Sequence, residues 1–187
     1  MNPAEHEDSF ISYLLHLKNS ENRGALAALR SGLGKEPGEA PRMFPHVGNF
    51  LYSTNPESTS TIVIFSTASL FALNPIHSPG RSLGMALWHA TKSDKNPNGK
   101  HGQAGVEARL TATIDSHRDD LVRNLQGLVS LCESAGEGID WSRFKSDLYS
   151  LLSDDDHRRD RTRLQWARDF WQGPRKTDTT TNSEGTE

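Results

Sequence analysis

The chain has 187 residues, 34% of them hydrophobic, enough for one compact domain or two small helical lobes with a real core. Its formal net charge of -3 and mean hydropathy of -0.67 exclude a uniformly basic nucleic-acid binder, so any phosphate contact must rest on how charge is distributed. The acidic start has no apolar run, and the longest apolar stretch, residues 62–73, falls short of the roughly 20 residues a membrane span takes, so a cytoplasmic protein without a membrane partner is expected.

Apolar residues at positions 10, 13, 14 and 17 form one face of a helix. Asn22 or Ser20 can cap a second helix over residues 23–30, which stops at Gly32 and Gly34. Residues 31–41 read as a loop, and residues 43–52 as a short helix started or kinked at Pro45. The most apolar stretch is 58–73. Its Thr61, Ile62, Val63 and Ile64 favour a strand on propensity, but no second strand pattern exists to pair with it, so it is expected to be the central buried helix. Ser78-Pro79-Gly80 leads into a helical segment at 82–88, and the polar residues 93–103 read as a flexible surface loop.

Residues 106–114 and 121–131 carry helical spacing. Asp140 is an N-cap for a helix over 141–152, and Asp154 to Asp156 cap and charge-match a last helix at 157–171. Beyond Gly173-Pro174 no apolar anchor remains, and disorder is expected. The expected fold is all-α, with about eight helices in two small packed bundles and no sheet. An N-terminal bundle spans 1–92, a loop 93–103, a C-terminal bundle 104–172 and a disordered tail 173–187.

Motifs for chemistry are missing. The sequence has no Walker A loop, GxGxxG, HExxH, CxxC or GxSxG. No two of the eight histidines show the i, i+4 spacing that lets imidazoles share a metal. Asp154-Asp155-Asp156 could bind a cation, but at a helix start its plainer role is the cap. The single cysteine, Cys132, excludes an intramolecular disulfide and lies in an apolar run, as a buried structural thiol does. No catalytic residue, metal or cofactor is expected, and the protein is not expected to be an enzyme.

Arginine is the conspicuous residue. Residues 157–168 hold five of them. On a helical wheel Arg158, Arg161, Gln165 and Arg168 share a sector about 80° wide, with Asp160, Leu164, Ala167 and Trp171 roughly opposite, the last three supplying the core face. Arg159 and Arg163 form a second basic flank near Trp166 and Phe170. Guanidinium forks suit phosphate, and aromatic neighbours can stack on guanidinium or base. Two readings fit this face: a grip on nucleic-acid backbone, or a solvated face offset by Asp154 to Asp156, Asp160 and Asp169. Two further pairs, Arg23 with Arg30 seven residues apart and Arg109 two heptads before Arg123, are expected each to project to one side, and Arg118 to join from a loop.

These segments resemble a known family. Residues 25–32, Ala-Leu-Ala-Ala-Leu-Arg-Ser-Gly, are similar to the ALAxLRRG signature of CasB proteins. Ser69-Leu70-Phe71-Ala72-Leu73 with the following Asn-Pro resembles their LFAxHP stretch, and Ser82-Leu83-Gly84-Met85-Ala86-Leu87 their SLGxAL element. Asp140-Trp141, Asp147-Leu148 and residues 166–171 look like the family's DW, DL and WaRDFy ending. The matches run in order from about residue 10 to 172.

The family is the small subunit of the type I-E CRISPR surveillance complex Cascade. The resemblance implies a non-catalytic, two-bundle helical subunit present as two copies. Its implied neighbours are the large subunit and the backbone subunits carrying the guide RNA. It would help hold the target and displaced non-target DNA strands while the R-loop forms, with cutting left to a separate nuclease. By position, Arg30 matches the first arginine of LRRG, Arg109 an arginine of the family's ERR element, and Arg158 and Arg159 the basic run before the last helix. Ser31, Ala108 and Gln126-Gly127 stand where the pattern has arginines, which either shifts weight to Arg118, Arg123 and the terminal Arg158, Arg159, Arg161 and Arg168 or weakens the strand contact itself. The alternative is a protein-binding helical scaffold whose arginines contact acidic partner surfaces.

Overall fold

The computed structural model describes residues 9–93 and 102–173. Among them the chain forms nine α-helices: α1 (Ser9–Asn19), α2 (Arg23–Arg30), α3 (Phe44–Val47), α4 (Thr59–Leu73), α5 (Leu83–Lys92), α6 (Gln103–Ile114), α7 (Arg118–Ala135), α8 (Trp141–Leu152) and α9 (Asp156–Gln172). The short helix expected over 43–52 is α3 between two 3-10 turns, Pro41–Met43 and Gly48–Phe50. No strand occurs among the described residues; one isolated bridge joins His77 to Ile139. Of the loop expected at 93–103, residues 94–101 lie outside the described residues, and Gln103 already begins α6. The tail from Pro174 onward also lies outside them.

Side-chain caps fix most helix starts. Asn22, Ser58, Ser82, Asp140 and Asp155 each accept a first-turn backbone N–H, satisfying donors that a helix start leaves open. At the other end of α7, Gly136 adopts φ 74°, the left-handed conformation that glycine tolerates.

α4 is the centre of the molecule. Eleven of its fifteen residues are buried, and it packs against α2, α7 and α8. A helix apolar on all sides belongs in the interior, and burial overrides the strand preference of its β-branched residues. One continuous apolar core runs from Phe10 on α1 to Phe170 on α9. It crosses the middle of the chain, because α5 packs on α9 and on α7.

Two joints lock the halves together. Residues 74–81 are stitched to 137–141: Ile139 N donates to Ile76 O at 3.2 Å, Asn74 Nδ2 to Glu137 O at 2.9 Å, Gly80 N to Asp140 Oδ2 at 2.7 Å, and Arg81 pairs with Glu137 at 2.6 Å. The second joint is α5 on α9. A Cβ at Gly84 would stand 2.3 Å from the Trp166 carbonyl oxygen, so only glycine allows this approach. Beside it Ser82 Oγ, while capping α5, donates to Asp169 Oδ2 at 2.6 Å. Gly173, expected to open the tail, is buried against the Trp88 ring. Cys132 is fully buried, and burial pushes its thiol pKa up, so it is the inert structural thiol expected.

Candidate nucleic-acid interface

α9 carries the densest arginine run, and its orientation corrects the expected core face. Thr162, Trp166, Asp169 and Phe170 face inward, whereas Leu164 is 71% exposed and Trp171 46% exposed. Positions 162, 166, 169 and 170 follow the same helical spacing as any apolar stripe. The misleading member is Asp169, a polar residue on the core side. Its carboxylate receives Ser82 Oγ, Gln165 Nε2 at 2.6 Å and Arg143 Nη2 at 3.2 Å. Asp147 likewise accepts the Trp166 indole N–H at 2.7 Å.

The outer face of α9 therefore holds His157, Arg161, Leu164, Arg168 and Trp171, all exposed, at i, i+4, i+7, i+11 and i+14. The Arg161 side chain makes no hydrogen bond or ion pair among the described residues. Arg168 Nη2 reaches Asp169 Oδ1 at 3.5 Å. Arg158 lies toward α8, where it lines a shallow groove with Lys145, Tyr52 and Tyr149, and it pairs with Asp155 at 3.2 Å. Gln165, placed with the arginines on the wheel, is turned to Asp169. Arg159 and Arg163 flank the core face, with side chains 31% and 30% exposed.

The other candidates are dispersed. On α2, Arg23 is exposed and unpartnered among the described residues, while the Arg30 fork grips the Ala72 carbonyl at 3.1 and 2.6 Å. That carbonyl is in the last turn of α4, where a cation also complements the helix dipole. Arg30 thus ties α2 to α4. Arg109 is on α6 and Arg123 on α7, so the heptad count between them is broken by the turn at 115–117 and does not give them a shared face. Arg123 pairs with Asp120 at 3.5 Å. Arg118 is no loop residue but the first of α7, donating to Leu152 O at 2.7 Å and Thr59 Oγ1 at 2.9 Å.

The structure brings together Arg118, Arg159 and Arg163, from two helices, around one cleft. Sequence reading treated Arg163 only as a flank; its i+4 spacing from Arg159 was the available signal. Exposed Arg42, without a partner among the described residues, and Lys145 carried no sequence signal.

Fold and surface define a small all-α protein that presents guanidinium groups from α7 and α9. Comparison then gives the family. Residues 25–171 match the family of CRISPR-associated protein Cse2. A Cse2 protein of Thermus thermophilus is 31% identical over 173 residues, 91% of each chain. The crystal structure of CasB from Thermus thermophilus superposes with a TM-score of 0.69 at 30% identity, covering 92% of this chain and all of that one. CasB from Thermobifida fusca, at 18% identity, TM-score 0.63 and coverage of 87% and 94%, shows the same fold. The chain belongs to the Cse2 family of CRISPR-associated proteins, called CasB in the solved structures.

Proposed function

We propose that this protein is a non-catalytic subunit of a Cascade-type CRISPR complex that grips nucleic-acid backbone with the arginines of α9 and the start of α7. It holds the target and displaced strands and thereby stabilises the R-loop, in the cytoplasm, alongside a second copy of itself, the large subunit and the backbone subunits with their guide RNA. The observation that carries the reading is the concentration of Arg158, Arg159, Arg161, Arg163 and Arg168 on α9, with Arg118 at the start of α7 lining a cleft with two of them, in a chain whose net charge is -3. Arg23, Arg109 and Arg123 add isolated charges on other surfaces. Guanidinium contacts to phosphate position a strand without reading its sequence. Replacing Arg158 and Arg159 with alanine in the assembled complex is expected to weaken R-loop formation about equally on unrelated target sequences, measured by gel shift. A change in sequence preference would contradict a backbone role.

A second reading has its own observation. Leu164 stands exposed between Arg161 and Arg168, and Trp171, exposed beyond Arg168, donates its indole N–H to Glu107, so that apolar surface edged by charge is on offer as in a protein contact. In a purely protein-binding scaffold, removing these arginines breaks assembly on gel filtration and leaves the strand affinity of assembled complexes intact.

A further inference from the structure

The shallow groove between α4 and α8 holds two aromatic rings that internal packing does not explain. Tyr52, in the loop before α4, is 90% exposed, and Tyr149, on α8, is 45% exposed. Both line a groove of about 330 Å³, at the small end of the roughly 300–1,000 Å³ usual for ligand sites. Val63 and Ile64 of α4, both buried, are its apolar floor. Single exposed apolar residues are ordinary on a surface; two rings set over one apolar floor mark a binding groove.

Charge in the groove is one-sided. Lys145, one turn before Tyr149 on α8, and Arg158 of α9 also line it, and no carboxylate among the described residues does. Arg158 pairs with Asp155 through Nε, at 3.2 Å, and its side chain is 63% exposed, so the outer Nη groups of the fork stay open to an acceptor. The serines of the groove narrow the kind of contact that fits. Ser146 Oγ donates to Ser142 O at 3.2 Å and Ser150 Oγ to Ser146 O at 3.0 Å, both within α8, and Ser60 Oγ lies 3.3 Å from Ser58 Oγ. With these hydroxyls engaged at home, the groove offers flat apolar and aromatic surface rather than a donor pattern that reads an edge. A nucleobase presents such a face whatever its identity, with a phosphate one backbone step away for the cations. Arg158 belongs both to this groove and to the arginine run of α9, so a strand following that run reaches the tyrosines without a break.

We propose that this groove seats one unpaired base of a single strand, stacked on Tyr149 and Tyr52, with Arg158 and Lys145 on the adjacent phosphate. The site rests on the strand-gripping reading and adds a preference that charge alone does not give: single strands over duplex, whose bases are already stacked on one another.

The test measures binding of the full-length protein, free and in the assembled complex, to two labelled probes of equal length and equal phosphate number. One is an oligothymidylate and the other its abasic counterpart, read by fluorescence anisotropy across a salt series. Tyr149→Ala is expected to lose roughly tenfold in affinity for the oligothymidylate and nothing for the abasic strand, with the salt slope unchanged on both. Tyr149→Phe, which keeps the ring, is expected to bind like the unaltered protein. Should Tyr149→Ala not fold, Tyr52→Ala, at an exposed loop position, is read the same way. Equal losses on the two strands, or none on either, overturn the site; a salt slope that persists then leaves the strand grip standing. A thymine-specific loss in a protein whose binding shows no salt dependence keeps the site and sinks the charge-based grip. If neither probe binds, site and grip fall together. A Tyr149→Ala chain that binds both probes normally but no longer enters the complex on gel filtration assigns the groove to a protein partner and overturns the proposal.

Discussion

Asp169, 8% exposed, is enclosed by Ser82, Gln165, Arg143 and Arg168. Burial alone would raise its pKa, but the two hydrogen bonds and two guanidiniums outweigh burial and hold it below the usual carboxylate value. A carboxyl depressed on folding stabilises the native state while ionised. That contribution is present above its unfolded pKa, about 3.9, and is lost as pH falls through the lower folded value. Asp147 has the opposite sign: burial raises its pKa despite the Trp166 hydrogen bond and the Arg143 charge, so ionising it weakens the fold as pH rises through the raised value. Asp169→Asn is therefore expected to lose about 2–4 kcal/mol at neutral pH and to flatten the acid limb of the stability curve. Urea unfolding between about pH 3 and pH 7 measures both; an unaltered acid limb would mean that Asp169 is not the group responsible. Arg30→Ala leaves the Ala72 carbonyl without its fork and is expected to cost about 1 kcal/mol, seen as a lowered thermal midpoint.

At the scale of the element, α9 separates what local sequence encodes from what it does not. Its start was legible in the aspartates preceding it, because a cap acts within one turn. Its inward face was not, because apolar residues lie on both sides: Trp166 and Phe170 are buried, Leu164 and Trp171 exposed. Only tertiary partners decide between them. The Ser82 hydroxyl and the Arg143 guanidinium draw Asp169 inward, and the indole of Trp166 reaches Asp147 on α8. The same distant partners tie together segments that resemble the CasB motifs: Asp140 and Trp141 bond to Gly80 and Ile76, and Ser82 and Gly84 meet Asp169 and Trp166 at the α5–α9 joint. The orientation predicts that Trp166→Ala costs about 3–5 kcal/mol, while Leu164→Ser stays within about 0.5 kcal/mol, both by denaturant titration. Equal costs would place Leu164 in the core and reverse the face. The arginines follow the same division: sequence marked their positions, but whether a fork grips a carbonyl, as in Arg30 and Arg118, depends on residues 34 to 42 positions away.

Across the whole molecule, the all-α class was legible from periodicity and from the lack of any partner for a strand at 58–73. The continuity of the core was not, because it depends on α5 crossing to α9. A core shared this way predicts that the segments 1–92 and 104–172 unfold in one transition, with circular dichroism and tryptophan fluorescence superimposing; two separated transitions would mean that each half is stable alone. The central claim is that α9 holds nucleic-acid backbone by charge, and salt dependence tests it most directly. For the assembled complex on single-stranded target, the log–log slope of affinity against salt is expected to become shallower by about two when Arg158, Arg159 and Arg161 are replaced with alanine. An unchanged slope in a complex that still assembles would contradict it.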